Sequence, residues 1–485
     1  MNTLVALKYP KENEMTFLHL RIPSAFIFAL SMVFTTQAHD SNLAPQKRLN
    51  WDNVSSFLIN NMPYLPVDKS VKIHDVEQRG FVEVPFDYSK PKGKKLEIFY
   101  RFMPSKNASL DSDKKPILVV MNGGPGAPSS GYRALNYSYQ TGEGRNSFSE
   151  LDKYFRILVV DQRGTGHSSP IDLNNSNISA TVIAKYFDSD EHARDHAEVI
   201  KKIIGKNEHF FIMARSYGGH IGFQYLALDS QAPKPDGFIL VSAIQPGMDG
   251  EVVFSKRREK QLALNQYLLK DRPGIDKKLN QLRAHLQSLK IDRNLINALW
   301  GKLGKGENWS HKFETMIDEL NEIKDADVLT NILSEGVFST VNLLNYILSS
   351  SALTPGFTDK TLTISTSKSV PFSPWMLDEN WTLNQIGNDG SWRQEFVKNV
   401  DQNPPPASRF PAIKEFKSII KRNNILFTFG ANDAFLEPEH QLKSAKRFNV
   451  DGHVTYKVLN GGHGAAFSKE GALFVNGWSI KALLK

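Results

Sequence analysis

The chain has 485 residues, 40% of them hydrophobic and 23% charged. At roughly 150 residues per domain this length allows about three structural units, and the composition excludes a chain that is disordered throughout or fibrous. Lys and Arg number 59 against 51 Asp and Glu, a net charge of +8 that is thin over this length and does not call for nucleic acid. There is no cysteine, which excludes disulfides, thiolate metal sites and a cysteine nucleophile together.

Residues Ile22–Phe34 form a short apolar run preceded by His19 and Arg21 and followed by Thr36-Gln37-Ala38. A basic start, a short apolar stretch and small residues before a cut are the marks of a secretory leader. The expectation is a leader over 1–38 and an exported protein, periplasmic or secreted. The absence of disulfides fits a bacterial source better than a secreted eukaryotic one. The run falls short of the about 20 apolar residues of a good span, so no stable membrane segment is expected once the leader is removed. An uncut N-terminal anchor is the alternative.

Two stretches rich in β-branched and aromatic residues, Phe81–Ser89 and Lys95–Met103, flank the polar turn Lys90–Lys94 and predict an antiparallel hairpin. Continuous apolar runs follow at Pro116–Met121, Phe155–Val160, Glu208–Met213, Phe238–Val241, Ile425–Phe429 and Val454–Leu459. Such runs are what strands look like when helices cover both sheet faces. Helical spacing lies between them at His192–Ile204, Gly219–Ala227 and Leu436–Arg447. The pattern predicts a mostly parallel, doubly wound α/β sheet. From Gln245 to Phe416 the rhythm changes to helical spacing at Leu262–Leu269, Ile275–Leu289, Leu295–Leu303, Phe313–Ile323 and Val328–Ser349. The predicted organisation is a sheet core over 39–244 and 417–485 with a mainly helical cap, 245–416, inserted between two strands.

The candidate site residues fall at strand ends, where open α/β sheets bind ligands. Met213–Gly219 passes from a strand into a helix and matches the nucleophile elbow G-x-S-x-G, with Ala214 for the first glycine and Ser216 as nucleophile. Tyr217 N–H then opens a helix and can face an oxyanion. Asn122-Gly123-Gly124-Pro125-Gly126 is a tight turn with exposed backbone N–H groups; Gly124 N–H is expected as the second oxyanion donor, with Gly123 beside it. Asp161–Ser168 lacks the lysine and spacing of a phosphate loop and reads as a structural turn with Asp161 and Arg163 paired locally. Asp433 and His463 each follow a late strand. A serine nucleophile needs a neutral imidazole and a carboxylate to orient it, and Ser216, Asp433 and His463 stand in the chain order Ser…Asp…His. Glu437 and His453 are fallback acid and base. No Cys/His cluster or H-E-x-x-H occurs, so neither metal nor cofactor is called for.

Taken in order, NGGPG at 122–126, DQRGTGHS at 161–168, Ser216-Tyr217-Gly218-Gly219, the Asp433 loop and Gly461–Gly464 resemble the proline iminopeptidase family of α/β-hydrolases. The resemblance implies the α/β-hydrolase fold and a serine aminopeptidase that removes N-terminal residues, often proline, under a helical cap. It carries Ser216, Asp433 and His463 over as the triad and Gly124 and Tyr217 as oxyanion donors. It departs from the family at Asn122, where His is usual, and at Ala214, where Gly is usual. Asn122 makes the loop similar to that of serine carboxypeptidases, where this Asn helps hold a substrate carboxylate, so Asn122 and Gly123 are candidate substrate-binding positions. Those enzymes carry Glu before the serine; this chain has Arg215. Glu251, Glu307, Glu314 and Glu319 are cap carboxylates available for a substrate amine, and none is singled out. The expected function is cleavage of a small peptide substrate through an acyl-enzyme. An esterase, lipase or carboxypeptidase with the same triad stays open, as does a binding protein that kept the fold without turnover.

Overall fold

Alternate residues of each central strand enter two different cores. Ile117, Val119 and Met121 face one, and Leu118 and Val120 the other; Phe210, Ile212 and Ala214 divide from Phe211 and Met213 in the same way. That is the period of two of an extended chain. With both faces covered it yields the unbroken apolar runs of the sequence.

The computed structural model describes residues 60, 78–105, 114–123, 129, 148, 150–171, 182, 185–246, 248, 250–291, 296, 299, 303–304, 308–334 and 413–484. They belong to one compact unit, Leu49–Lys485. The leader expected over 1–38 lies outside the described residues.

Eight strands form one sheet: β1 (Gln78–Pro85), β2 (Lys95–Met103), β3 (Ile117–Met121), β4 (Arg156–Val160), β5 (Phe210–Arg215), β6 (Gly237–Val241), β7 (Ile425–Gly430) and β8 (Val454–Leu459). Their order is β1-β2-β4-β3-β5-β6-β7-β8. The six strands from β4 to β8 run parallel to one another. β2 pairs antiparallel with both β1 and β4. The hairpin turn closes through Gly93 N–H to Lys90 O at 2.8 Å and Phe86 N–H to Lys94 O at 2.8 Å.

Helices α1 (Ser189–Ile203) and α2 (Tyr217–Leu228) cover one face of the sheet together with α7 (Ile413–Ile420) and α8 (Pro438–Ala445). The other face is covered by α9 (Lys469–Leu483) and the segment around Phe148 and Leu151. The Asp188 carboxylate starts α1 by accepting from Asp190 and Glu191 N–H, both at 3.1 Å, the usual satisfaction of orphan helix donors.

Between β6 and β7 lie α3 (Gly250–Asp271), α4 (Ile275–Ser288), α5 (Trp309–Glu322) and α6 (Ala326–Ser334). They enclose a separate apolar core built on Leu268, Ile275, Leu282, Phe313 and Ile317. α3 begins well before the Leu262–Leu269 expected from spacing, because the stretch Ser255–Lys260 in its first half is polar and basic and shows no apolar period. The helix expected over 295–303 falls mostly outside the described residues, as does the part of 328–349 beyond Ser334.

Candidate active site

Ser216 joins β5 to α2 with φ 56° and ψ −123°. A residue with a side chain pays about 1–3 kcal/mol to sit in such a region. The surroundings hold it there: its N–H donates to Val241 O at 3.0 Å, and its carbonyl accepts from Gly219 and Ile244 N–H at 2.9 Å each. α2 starts close against β3, so that a Cβ on Gly218 would overlap the Met121 carbonyl. Ala214 fits where a glycine was expected because Gly222 faces it: a Cβ on Gly222 would lie 2.8 Å from the Ala214 Cβ.

The turn after β3 abuts the nucleophile. A Cβ on Gly123 would lie 2.5 Å from Ser216 Cβ and 3.3 Å from its Oγ. Asn122 is buried, and its carbonyl accepts from Gln162 Nε2 at 3.3 Å. Gly124 lies outside the described residues. Tyr217 is the first residue of α2, so its N–H belongs to the positive end of that helix. Its ring is buried between two imidazoles, with the hydroxyl 3.4 Å from His192 Nδ1 and the ring stacked on His220 at 6.2 Å.

Asp433 and His463 meet beyond the ends of β7 and β8. His463 Nδ1 is 3.0 and 2.9 Å from the two carboxylate oxygens. Asp433 also accepts from Phe435 and Leu436 N–H at 2.8 and 3.0 Å, and from Gln441 Nε2 at 3.4 Å. Burial acts to raise its pKa, but the charge and hydrogen bond of His463, the Leu436 N–H and the Ser242 hydroxyl outweigh it and hold the carboxyl below its usual value. An ionised carboxylate on Nδ1 leaves Nε2 of a neutral ring free to accept a proton. The Phe435 ring packs against His463 at 4.8 Å. The loops of Ser216 and His463 come together at Arg215, whose guanidinium lies 5.6 Å over the Phe467 ring and 3.9 Å from a Cβ placed on Gly464.

The fallback residues are placed elsewhere. Glu437 caps α8, accepting from Glu439 and His440 N–H at 3.1 and 2.6 Å. His453 precedes β8 at the opposite end of the sheet, where its carbonyl accepts from Ile425 N–H at 2.8 Å.

Arg163 corrects the expectation of a local pair with Asp161. It is completely buried and forms a two-pronged bond to Asp195, Nε to Oδ2 at 2.7 Å and Nη2 to Oδ1 at 2.6 Å. It also donates to the carbonyls of Phe86 and Tyr186, both at 2.9 Å. Asp195 and these carbonyls together satisfy more of the guanidinium's donors than Asp161 could, and Asp161 Oδ2 instead accepts from His167 N–H at 3.1 Å within the turn. Gln441 and Ser242 beside Asp433 carried no signal in the sequence, because each reaches the site from a different element. Among the described residues, no group of three or more His, Asp or Glu side chains is placed to hold a metal ion.

The profile of the alpha/beta hydrolase fold family matches residues 116–470, most of the chain. The chain belongs to the α/β-hydrolase family. It is similar to the proline iminopeptidase of Aeromonas sobria, 29% identical over 217 residues that cover 43% of this chain and 47% of that protein. It is also similar to the tripeptidyl aminopeptidase of Streptomyces lividans, 30% identical over 94 residues, 19% of this chain and 16% of that protein. The chain thus spans less than half the length of these curated relatives. A crystal structure of proline iminopeptidase from Mycobacterium smegmatis superposes with a TM-score of 0.36 at 12% identity, covering 84% of this chain and all but 1% of the other, that is 99%. The resemblance to the proline iminopeptidases read from the motifs is also found in the 217-residue stretch shared with the Aeromonas sobria protein. Among the described residues, no helix is long and apolar enough to cross a membrane.

Proposed function

We propose that this α/β-hydrolase is an exported serine aminopeptidase that takes short peptides with a free amino terminus. The observation that carries the reading is the buried Asp433–His463 pair, set in the same sheet-end cluster as a serine held at φ 56°. The relatives named as a proline iminopeptidase and a tripeptidyl aminopeptidase direct the choice toward peptides. Ser216 Oγ attacks the carbonyl of the scissile bond while His463 Nε2 takes its proton. The Tyr217 N–H, with Gly124 N–H as partner, stabilises the oxyanion. His463 then protonates the leaving amine, and water, activated by the same imidazole, releases the acyl group. Asp433 keeps the ring in the tautomer that accepts at Nε2 and stabilises the imidazolium. The cap restricts access to short substrates. Residues 1–38 act as the export leader.

The test is an assay of the chain beside Ser216→Ala on free-amine aminoacyl and tripeptidyl anilides, N-blocked peptides and short p-nitrophenyl esters. Turnover of free-amine anilides that disappears in Ser216→Ala is expected. Ester turnover with every peptide untouched would overturn the peptidase reading, and no turnover at all would overturn the enzyme reading. Export predicts a mature N-terminus near His39 on protein recovered from outside the bacterial cytoplasm.

A further inference from the structure

The loop of residues 431–434, which carries Asp433, is bonded on two sides. Its N–H groups point to the histidine loop: Ala431 N–H donates to Leu459 O at 2.9 Å and Asn432 N–H to Gly461 O at 2.8 Å. Its carbonyls point to the cap. Lys260 Nζ donates to Ala431 O at 2.9 Å, and Gln261 Nε2 donates to Ala434 O at 3.4 Å. Gln261 is completely buried. The Ala434 side chain enters the apolar core of the cap, and Phe435 packs against that core while also touching His463. On another side Gly304, at φ +70°, comes so close that a Cβ there would overlap the Asn432 carbonyl.

We infer that Lys260 and Gln261 are positioning residues for the reaction: from the cap, they hold the backbone that carries Asp433. Docking of the cap and formation of the Asp433–His463 pair are then one assembly, and the cap does more than cover the site. The inference rests on the proposed triad. Its physical basis is that consecutive residues of α3 reach the two ends of one short loop, each satisfying a carbonyl there. Ala434 and Gln261 are buried, so the Ala434 carbonyl left without its donor is costly; at the half-buried Ala431 end, loss of the Lys260 bond removes the tie to the cap. His463 is bonded to both carboxylate oxygens at about 3 Å, a geometry that a small shift of the loop breaks. The bonds go to backbone atoms, so the coupling is accessible to mutation from the cap side and not from residues 431 and 434.

The experiment uses Lys260→Met, Gln261→Leu and Lys260→Arg in the full chain, with Ser216→Ala as control, on the best anilide from the substrate panel. Thermal melts establish that each variant is folded. For Lys260→Met and Gln261→Leu, kcat is expected to fall roughly tenfold to a hundredfold, the scale of a displaced catalytic group, with KM little changed. Lys260→Arg, which keeps a donor, is expected to restore most of kcat. Gln261→Leu changes no charge, so a matching loss of kcat in that variant separates positioning from through-space charge. Should Gln261→Leu fail to fold, the half-buried Lys260 carries the test alone. Folded variants with wild-type kcat, or with changes in KM alone, would overturn the inference. If Ser216→Ala keeps full turnover, it is the triad reading that fails.

Discussion

Gly218 and Met121 are in backbone contact: a Cβ at 218 would overlap the Met121 carbonyl oxygen. This contact lets α2 start directly beneath the turn after β3 and brings Gly123 against Ser216. Gly218→Ala must therefore push helix and strand apart. Overpacking of this kind costs about 1–3 kcal/mol and sometimes more. A lowered urea midpoint together with lost turnover is expected; an unchanged midpoint would mean that the contact is looser than described.

The backbone at Ser216 trades stability for function. At φ 56° and ψ −123° a glycine is relaxed where serine and alanine are strained. Ser216→Gly should be more stable than Ser216→Ala by about 1 kcal/mol, measured by denaturant titration. On the proposed mechanism both variants lose turnover by at least about a thousandfold. Equal stability of the two would remove the strain argument.

Three buried histidines make the fold acid-sensitive. Burial lowers His220 from 6.5 to about 3. It also lowers His192, with the charges of Arg163 and His196 adding to the effect, and lowers His196 against its bond to the His192 carbonyl. The unfolded chain takes up protons on these rings below about pH 6.5 while the native protein does not. The unfolded state binds more protons there, so stability falls as pH falls, by up to about 1.4 kcal/mol per pH unit for each ring. Unfolding titrations from pH 7 to 4 should show this slope. His220→Phe, which keeps an aromatic ring stacked on Tyr217, should flatten it; an unaltered slope would exclude His220 as a contributor.

Arg163 and Asp195 form a completely buried ion pair that also binds the Tyr88 hydroxyl at 2.9 Å from Asp195 Oδ1. Arg163→Leu leaves that carboxylate buried with its cation gone, a loss of about 3–5 kcal/mol. Calorimetry should show a large drop in melting temperature, with kcat per folded molecule retained because the pair lies outside the Asp433–His463 site. A variant as stable as the parent would mean that the pair is energetically neutral.

The sheet was legible because its physical signal is local. Five-residue runs such as Ile117–Met121 and Arg156–Val160 are buried along their whole length, and burial on both faces leaves an apolar trace in consecutive residues. β1 was placed less well: it starts at Gln78 and stops at Pro85, with mixed burial along its length. The Asp433–His463 pair was legible because each residue directly follows a strand of the same parallel sheet. Arg163 was misassigned because its partner Asp195 is 32 positions away on a helix whose polar buried face has no marker in the sequence. The contact of Lys260 with the acid loop spans 171 positions, and no local pattern in the sequence links residues so far apart.

β6 and β7 are neighbours in the sheet, yet Asn424 at the start of β7 donates to the Asp236 carbonyl 188 positions earlier. Joining these strands closes a chain loop that contains the entire cap. The entropy of closing so long a loop grows only slowly with its length, and sheet pairing this distant in sequence is the kind that slows folding. A molecule that has built its sheet only as far as β6 holds Ser216 without an acid or a base. On the proposed triad, Ser216 comes from one side of this loop and Asp433 and His463 from the other, so any turnover depends on the loop being closed.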